Sequence, residues 1–344
     1  MSPGLPARLL RRMKAFASAT LPASPARRDP IWFLDGLVVA LGGVCWWLAS
    51  AYPADLPFFL PWDFSWIEFL GIALPLVWYL RGLALTQAEE RPHWLRITAF
   101  LLGILFIYTL MQTRFVYYAQ HMFLLNRVQH AGMHHLGPFL IALGWPGGTL
   151  ARGAPDWALR LARTTFVRRA LRFLMHPVVA AVTFAGLIGL WLLPAVQFVM
   201  MISPPLYVVM NLSMVLDGLL FWFLVLYPRP SPPAYHSYTV RLITTIAVIF
   251  PQLILGARLT FSLEPWYPYY DLCGRLFPTV SALMDQHLGG VVVWVPSSMM
   301  SSIAFLLIVN NVRLNEDRQS GGKNEDDIEI APGVRLSSAS WTGR

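Results

Sequence analysis

Residues 121–135, His-Met-Phe-Leu-Leu-Asn-Arg-Val-Gln-His-Ala-Gly-Met-His-His, hold four of the chain's eight histidines. Imidazole and thioether are borderline or soft donors, and together they suit copper, Cu(I) above all. Wound as a helix at about 100° per residue, the run puts Asn126, His130 and His134 on one stripe flanked by Met133 and Arg127. His135 then points about 100° away from His134. His121 and Met122 stand before the run as a first pair of ligands for an arriving ion. A second polar group, Met284-Asp285-Gln286-His287, opens another apolar run and brings His287 as a further ligand. The expected metal ligands are therefore His130, His134, Met133, His287, His121 and Met122. Asn126, Asp217, Asp285, His135 and Arg258 are expected around them.

Asp217 lies in the middle of an apolar run, where a charge costs about 2.5–3.5 kcal/mol on insertion scales. A hydrogen bond to His134 or His135 gives it a reason to be there, since a carboxylate behind an imidazole orients the ring. The same polarity has a second reading. A hydrogen-bonded lattice of His130, Asn126 and Asp217 would hold helices together with no metal at all. Asp285 with Arg258 reads as an interfacial ion pair. Cys45 reads as a buried apolar side chain. His93, His176 and His236 read as loop or helix-end residues.

The elements that position these groups are apolar helices. The chain has 344 residues, 56% hydrophobic and 13% charged, against roughly 25% charged in soluble domains. Its mean hydropathy is +0.53. This excludes a water-soluble globule. Two distant cysteines exclude a disulfide scaffold or a zinc ribbon. No Walker A, GxGxxG or CxxC motif is present. Runs at 31–52, 66–85, 95–113, 122–143, 177–200, 205–227, 240–261 and 287–310 can each cross a hydrocarbon core of about 30 Å. The fold class expected is an all-α polytopic membrane bundle of about eight helices. The segment 1–30 reads as a basic cytoplasmic extension, 31–310 as the bundle and 311–344 as a disordered polar tail. The triplet Ala49-Ser50-Ala51 resembles a signal-peptidase site, but the long apolar stretch favours an uncleaved anchor.

Of 26 lysines and arginines, all but Arg114, Arg127, Arg258 and Arg275 fall on one side of this topology. That asymmetry places both termini in the cytoplasm. It also explains the net charge of +8 without nucleic acid. Span four then runs inward from the outer face and span eight starts at that face. Their outer ends are expected to meet, with His130 within reach of His287 or Asp285.

These residues resemble the CtaG-type cytochrome c oxidase assembly proteins over roughly residues 66–310. The anchors are Val128-Gln129-His130 leading to Gly137-Pro138 and Gly144-Trp145-Pro146, then His176-Pro177, Gly218 to Trp222, and Gly256 to Phe261 leading to Tyr267-Pro268. The last anchor runs from Asp285-Gln286-His287 through Gly289-Gly290 to Trp294 and Pro296. The resemblance implies a bacterial cytoplasmic (inner) membrane protein, not an enzyme, that serves maturation of a haem-copper oxidase at a copper-delivery step. It implies oxidase subunits as partners, with a periplasmic copper chaperone as a further one. The chain departs from the family at Asn126, Arg127, Asn211 and Leu192, where family histidines or a methionine are expected. Two other classes stay open: a haem-binding redox or haem-handling protein with two axial histidines, and a metal or proton transporter using Asp217 and the histidines as a relay.

Overall fold

Each of the eight apolar runs is helical in a computed structural model, which describes residues 31–231, 234–272 and 274–320 and the backbone of 327–331 and 334–337. The basic segment 1–30 and Cys273 lie outside the described residues. Helices α1 (Ile31–Ala51), α2 (Trp66–Ala84) and α3 (Trp94–Gln112) follow the first three runs closely. Asp35 on α1 accepts a hydrogen bond from the Trp78 indole on α2, 2.9 Å away, which satisfies both polar groups within the apolar layer. Cys45 is buried on the inner face of α1.

The central strip is built from short α4 (Phe115–His121), α5 (Phe123–Ala131), a π-helical turn at Gly132–Leu136, and α6 (Gly137–Gly144). Three short helices follow: α7 (Gly147–Gly153), α8 (Asp156–Arg163) and α9 (Thr165–Leu174). The fifth run is broken into α10 (Pro177–Leu192) and α11 (Pro194–Ile202). The break sits at Leu193 because Pro194 offers no N–H and pushes the residue before it to an extended conformation. Helix α12 (Pro204–Val225) is continuous. The seventh run divides into α13 (Tyr238–Ala247) and α14 (Ile249–Thr260), where the Pro251 ring would meet the carbonyl of Ala247.

The last helix, α15 (Ala282–Ser320), outruns its apolar stretch at both ends. Residues 311–320 continue the helix, which corrects the expectation of a tail without structure from 311 onward. Arg, Glu and Gln have good helix propensity, and Arg313 pairs with Asp317 one turn on at 3.8 Å. Strands β1 (Asp327–Ala331) and β2 (Val334–Ser337) pair antiparallel beyond it.

The protein is an all-α, multi-pass membrane bundle. By length and composition six described helical segments can cross a membrane, α13 and α14 counting together as one, or seven if α9 and α10, bent by 74°, form one span. The bundle is threaded around the strip α5–π–α6, which packs against α3, α12 and α15. Two glycines permit this. A Cβ at Gly218 on α12 would collide with the His134 carbonyl, and one at Gly289 on α15 would collide with the Phe123 ring. Gly218→Ala should therefore force α12 off the π turn and lower stability by about 1–3 kcal/mol. Thermal unfolding of the detergent-solubilised chain reads this directly, and an unchanged midpoint would refute the close approach.

Candidate metal centre

The π turn decides which histidines meet. In an α-helix residues four apart share a face, whereas one i→i+5 turn brings residues five apart together. His130 and His135 are five apart, and both line one buried cavity together with His134. The cavity holds about 20 Å³ and is lined also by Arg127, Ala131, Ile188, Met214, Val293 and Ser297. His135 thus joins the other two rather than pointing away, which corrects the straight-helix reading. The His134 and His135 rings lie 5.0 Å apart, centre to centre. Met133, swung to the other side, is buried in the apolar core and does not line the cavity.

The rings are held from outside. His134 Nε2 lies 3.0 Å from Asp217 Oδ2, so Asp217 occupies the orienting position expected of it. Phe184 stacks on the His134 ring at 4.0 Å. His135 Nε2 lies 3.0 Å from the Ser297 hydroxyl, which itself donates to the Val293 carbonyl. These three rings also carry buried nitrogens with nothing to bond. Among the described residues, Nδ1 and Nε2 of His130, Nδ1 of His134 and Nδ1 of His135 have no hydrogen-bond partner. Buried polar atoms are rarely left so, and each costs about 1–3 kcal/mol. The Met214 thioether is the one soft sulfur on the cavity wall. Among the described residues no three His, Cys, Asp or Glu side chains already converge as a metal site. The wall thus offers imidazoles and one thioether, with no preformed cage among the described residues.

The lattice reading also has a counterpart, around Asn126 and without His130. Asn126 Oδ1 accepts from Gln197 at 3.0 Å and from the Arg127 guanidinium. The same Gln197 amide donates to the Tyr270 hydroxyl at 3.0 Å. Tyr207 donates to Gln129 at 2.7 Å, and Gln129 donates to the Leu110 carbonyl at 2.7 Å. Arg127 is buried with its guanidinium 5.0 Å from the Phe123 ring. Glu68 accepts from Gln112 and from Asn211, each at 2.9 Å. Asn211 thus serves a carboxylate on α2. In the loop between α14 and α15 burial pushes the Tyr267 phenol up to about 12, so it stays a donor and reaches the Leu192 carbonyl at 2.6 Å.

The remaining candidates lie elsewhere. Helices α5 and α15 do meet at their N-terminal ends, but Asp285 holds an end of a helix rather than a histidine. Its oxygens accept from the N–H groups of Phe123 (2.9 Å) and Leu124 (2.8 Å) and from Arg275 (3.0 Å). Negative charge at a helix N-terminus is favourable, and here it also uses up orphan donors. Arg275 replaces Arg258 as the ion-pair partner; Arg258 is exposed and lies 5.8 Å from the Trp266 ring. Gln286 accepts from the Trp266 N–H at 2.5 Å, and His287 Nε2 lies 2.8 Å from the Ser262 carbonyl. Asp285-Gln286-His287 therefore clasps the 262–266 loop to α5, and His287 does not line the cavity of His130. His121 stacks on Tyr117 at 4.0 Å and lies 2.7 Å from its carbonyl oxygen. Met122 is buried at the break between α4 and α5. Neither lines the cavity.

Met214 and Ser297 are the wall residues the spacing of the histidines did not reveal. Met214 sits one turn before Asp217 on α12, a pairing visible in the sequence once Asp217 is singled out. Ser297 follows Pro296 and has no local signal.

Comparison with curated proteins finds no match, and comparison with solved structures finds none either. The profile of the cytochrome c oxidase caa3 assembly factor family matches residues 77–313, a stretch that contains every residue lining the cavity. Spanning well over half of the 344 residues, the match means that the chain belongs to the cytochrome c oxidase caa3 assembly factor (Caa3_CtaG) family.

Proposed function

We propose that the chain takes up Cu(I) in the bacterial cytoplasmic membrane and passes it to a nascent haem-copper oxidase subunit, catalysing no reaction itself. The observation that carries this reading is one cavity lined by three buried histidines and Met214, the three rings carrying four nitrogens without hydrogen-bond partners. A cavity must offer roughly 10–15 Å³ to hold one water. At about 20 Å³ this one suits a single ion and is far too small for a porphyrin. Arg127 on the wall opposes any cation. The Coulomb penalty for a dication is twice that for a monocation, so Arg127 favours Cu(I) over Cu(II) or Zn(II). It also favours transient holding, as delivery requires.

The basic asymmetry supports eight crossings with both termini cytoplasmic, the segments 123–144 and 177–202 crossing as interrupted helices. On this topology the Asp285 clasp lies at the outer face, where a periplasmic copper chaperone would approach. Reporter fusions after residues 60 and 320 should read periplasmic and cytoplasmic, and a periplasmic C-terminus would sink the topology. In cells lacking the chain, oxidase subunits should accumulate with depleted copper. Oxidase with its full copper content in such cells overturns the functional reading.

A further inference from the structure

A second cavity, of about 440 Å³, opens where α9 turns into α10, where α12 ends and where α13 begins. Its wall is strongly one-sided in charge. Arg168, Arg172, Arg241, His176 and His236 line it, and no Asp or Glu does. Arg168 and Arg172, one turn apart on α9, are exposed, and among the described residues neither has an ion-pair partner. Arg241 is buried and donates to the carbonyls of Tyr227, Arg229 and Ser237. Those bonds hold the loop that forms the wall, but no carboxylate neutralises the charge. His176 and His236 face each other at 6.2 Å. Burial, with His176 and Arg241 close by, holds the His236 ring below the ordinary histidine range. The floor is apolar, made by Leu171, Met175 and Phe223.

The surroundings say where this cavity sits. Helices α8 and α9 are short and basic, and their apolar side chains Trp157, Leu161, Phe166 and Phe173 are exposed. Helices of that kind lie in the interface of a bilayer with their apolar side chains in the acyl region. The cavity is thus a positively charged cup with an apolar floor at the level of lipid headgroups.

We infer that this cavity binds one anionic glycerophospholipid, its phosphodiester gripped by Arg168 and Arg172 and the start of an acyl chain laid on Leu171 and Phe223. Guanidinium groups recognise phosphate oxygens by paired hydrogen bonds, and two of them on successive turns can share one phosphodiester. A zwitterionic lipid would bring its ammonium group against the arginines and histidines and is disfavoured. The site is separate from the histidine cavity, so its lipid selectivity stands or falls independently of copper.

The test uses the full chain in mild detergent, titrated with phosphatidylglycerol or phosphatidylcholine and followed by native mass spectrometry. One phosphatidylglycerol should be retained in preference to phosphatidylcholine. The double variant Arg168→Gln/Arg172→Gln should weaken that binding by about tenfold or more, since two charge-assisted contacts are lost. The pair Arg160→Gln/Arg163→Gln on α8, outside the cavity, should leave it within about twofold. Equal retention of the two lipids overturns the inference. So does equal loss in the two double variants, which would mean diffuse attraction to the surface. Displacement of the lipid by millimolar inorganic phosphate, or a Soret band abolished by the Arg168/Arg172 variant, would name a different ligand and overturn it as well.

Discussion

Replacing His130 by alanine should empty the chain of copper while leaving it folded in the membrane. Both ring nitrogens of His130 lack partners, so the substitution breaks no hydrogen bond. Its structural cost is packing alone, about 1–3 kcal/mol. Its chemical cost is the only ring on the wall with both nitrogens unpartnered, since His134 and His135 spend Nε2 on Asp217 and Ser297, and copper per purified chain should fall by about tenfold or more. His130→Asn is the control. It restores polarity and much of the volume but not the imidazole, so it too should lack copper. If His130 instead held the bundle together, Asn would restore the folded yield that Ala lowers. His121→Ala, in a ring stacked on Tyr117 outside the cavity, should leave copper content unchanged. Wild-type copper in His130→Ala would refute the site.

Replacing Asp285 by alanine should have the opposite profile, with a large loss of stability and no change in copper per folded chain. Asp285 is buried and holds Arg275 together with the first two N–H groups of α5. Arg275 keeps Asp271 at 2.5 Å, but the Phe123 and Leu124 N–H groups lose their acceptor, at a cost of about 1–3 kcal/mol each. The unfolding midpoint in detergent should drop steeply, and Asp285→Asn should recover part of the loss by accepting one of the N–H groups. His287→Ala removes one contact to a loop carbonyl and should cost about 1 kcal/mol. A midpoint for Asp285→Ala close to wild type would show that the carboxylate does not hold α5.

The pairing of these outcomes bears on how two polar motifs in apolar helices differ. Asp285-Gln286-His287 and Asn126 to His135 both look like ligand clusters when read along the chain. The first spends its donors and acceptors on backbone groups of α5 and the Ser262–Trp266 loop. The second leaves ring nitrogens open. Free bonding capacity, not residue type, separates clasp from candidate site.

What the sequence determined by itself was whatever depends on local composition and on one helix at a time. Long apolar runs made the membrane bundle legible, because about 20 helical residues are needed to cross hydrocarbon and little else satisfies backbone groups there. Prolines at 194 and 251 lie where the helices break. The lone carboxylate of Asp217 pointed to an imidazole partner, and His134 is that partner. Tertiary structure decided the rest. A π turn of five residues rotated His135 into the cavity and Met133 out of it, and helical spacing gives no warning of such a turn. Met214 and Ser297 reach the cavity from helices some eighty and more than 160 residues away from His134. Arg275, in a loop, took the place beside Asp285 that depth alone had offered to Arg258. Contacts between distant segments depend on crossing angle and rotation about each helix axis. Those are set by close packing, at points such as Gly218 and Gly289 where one backbone presses on its neighbour.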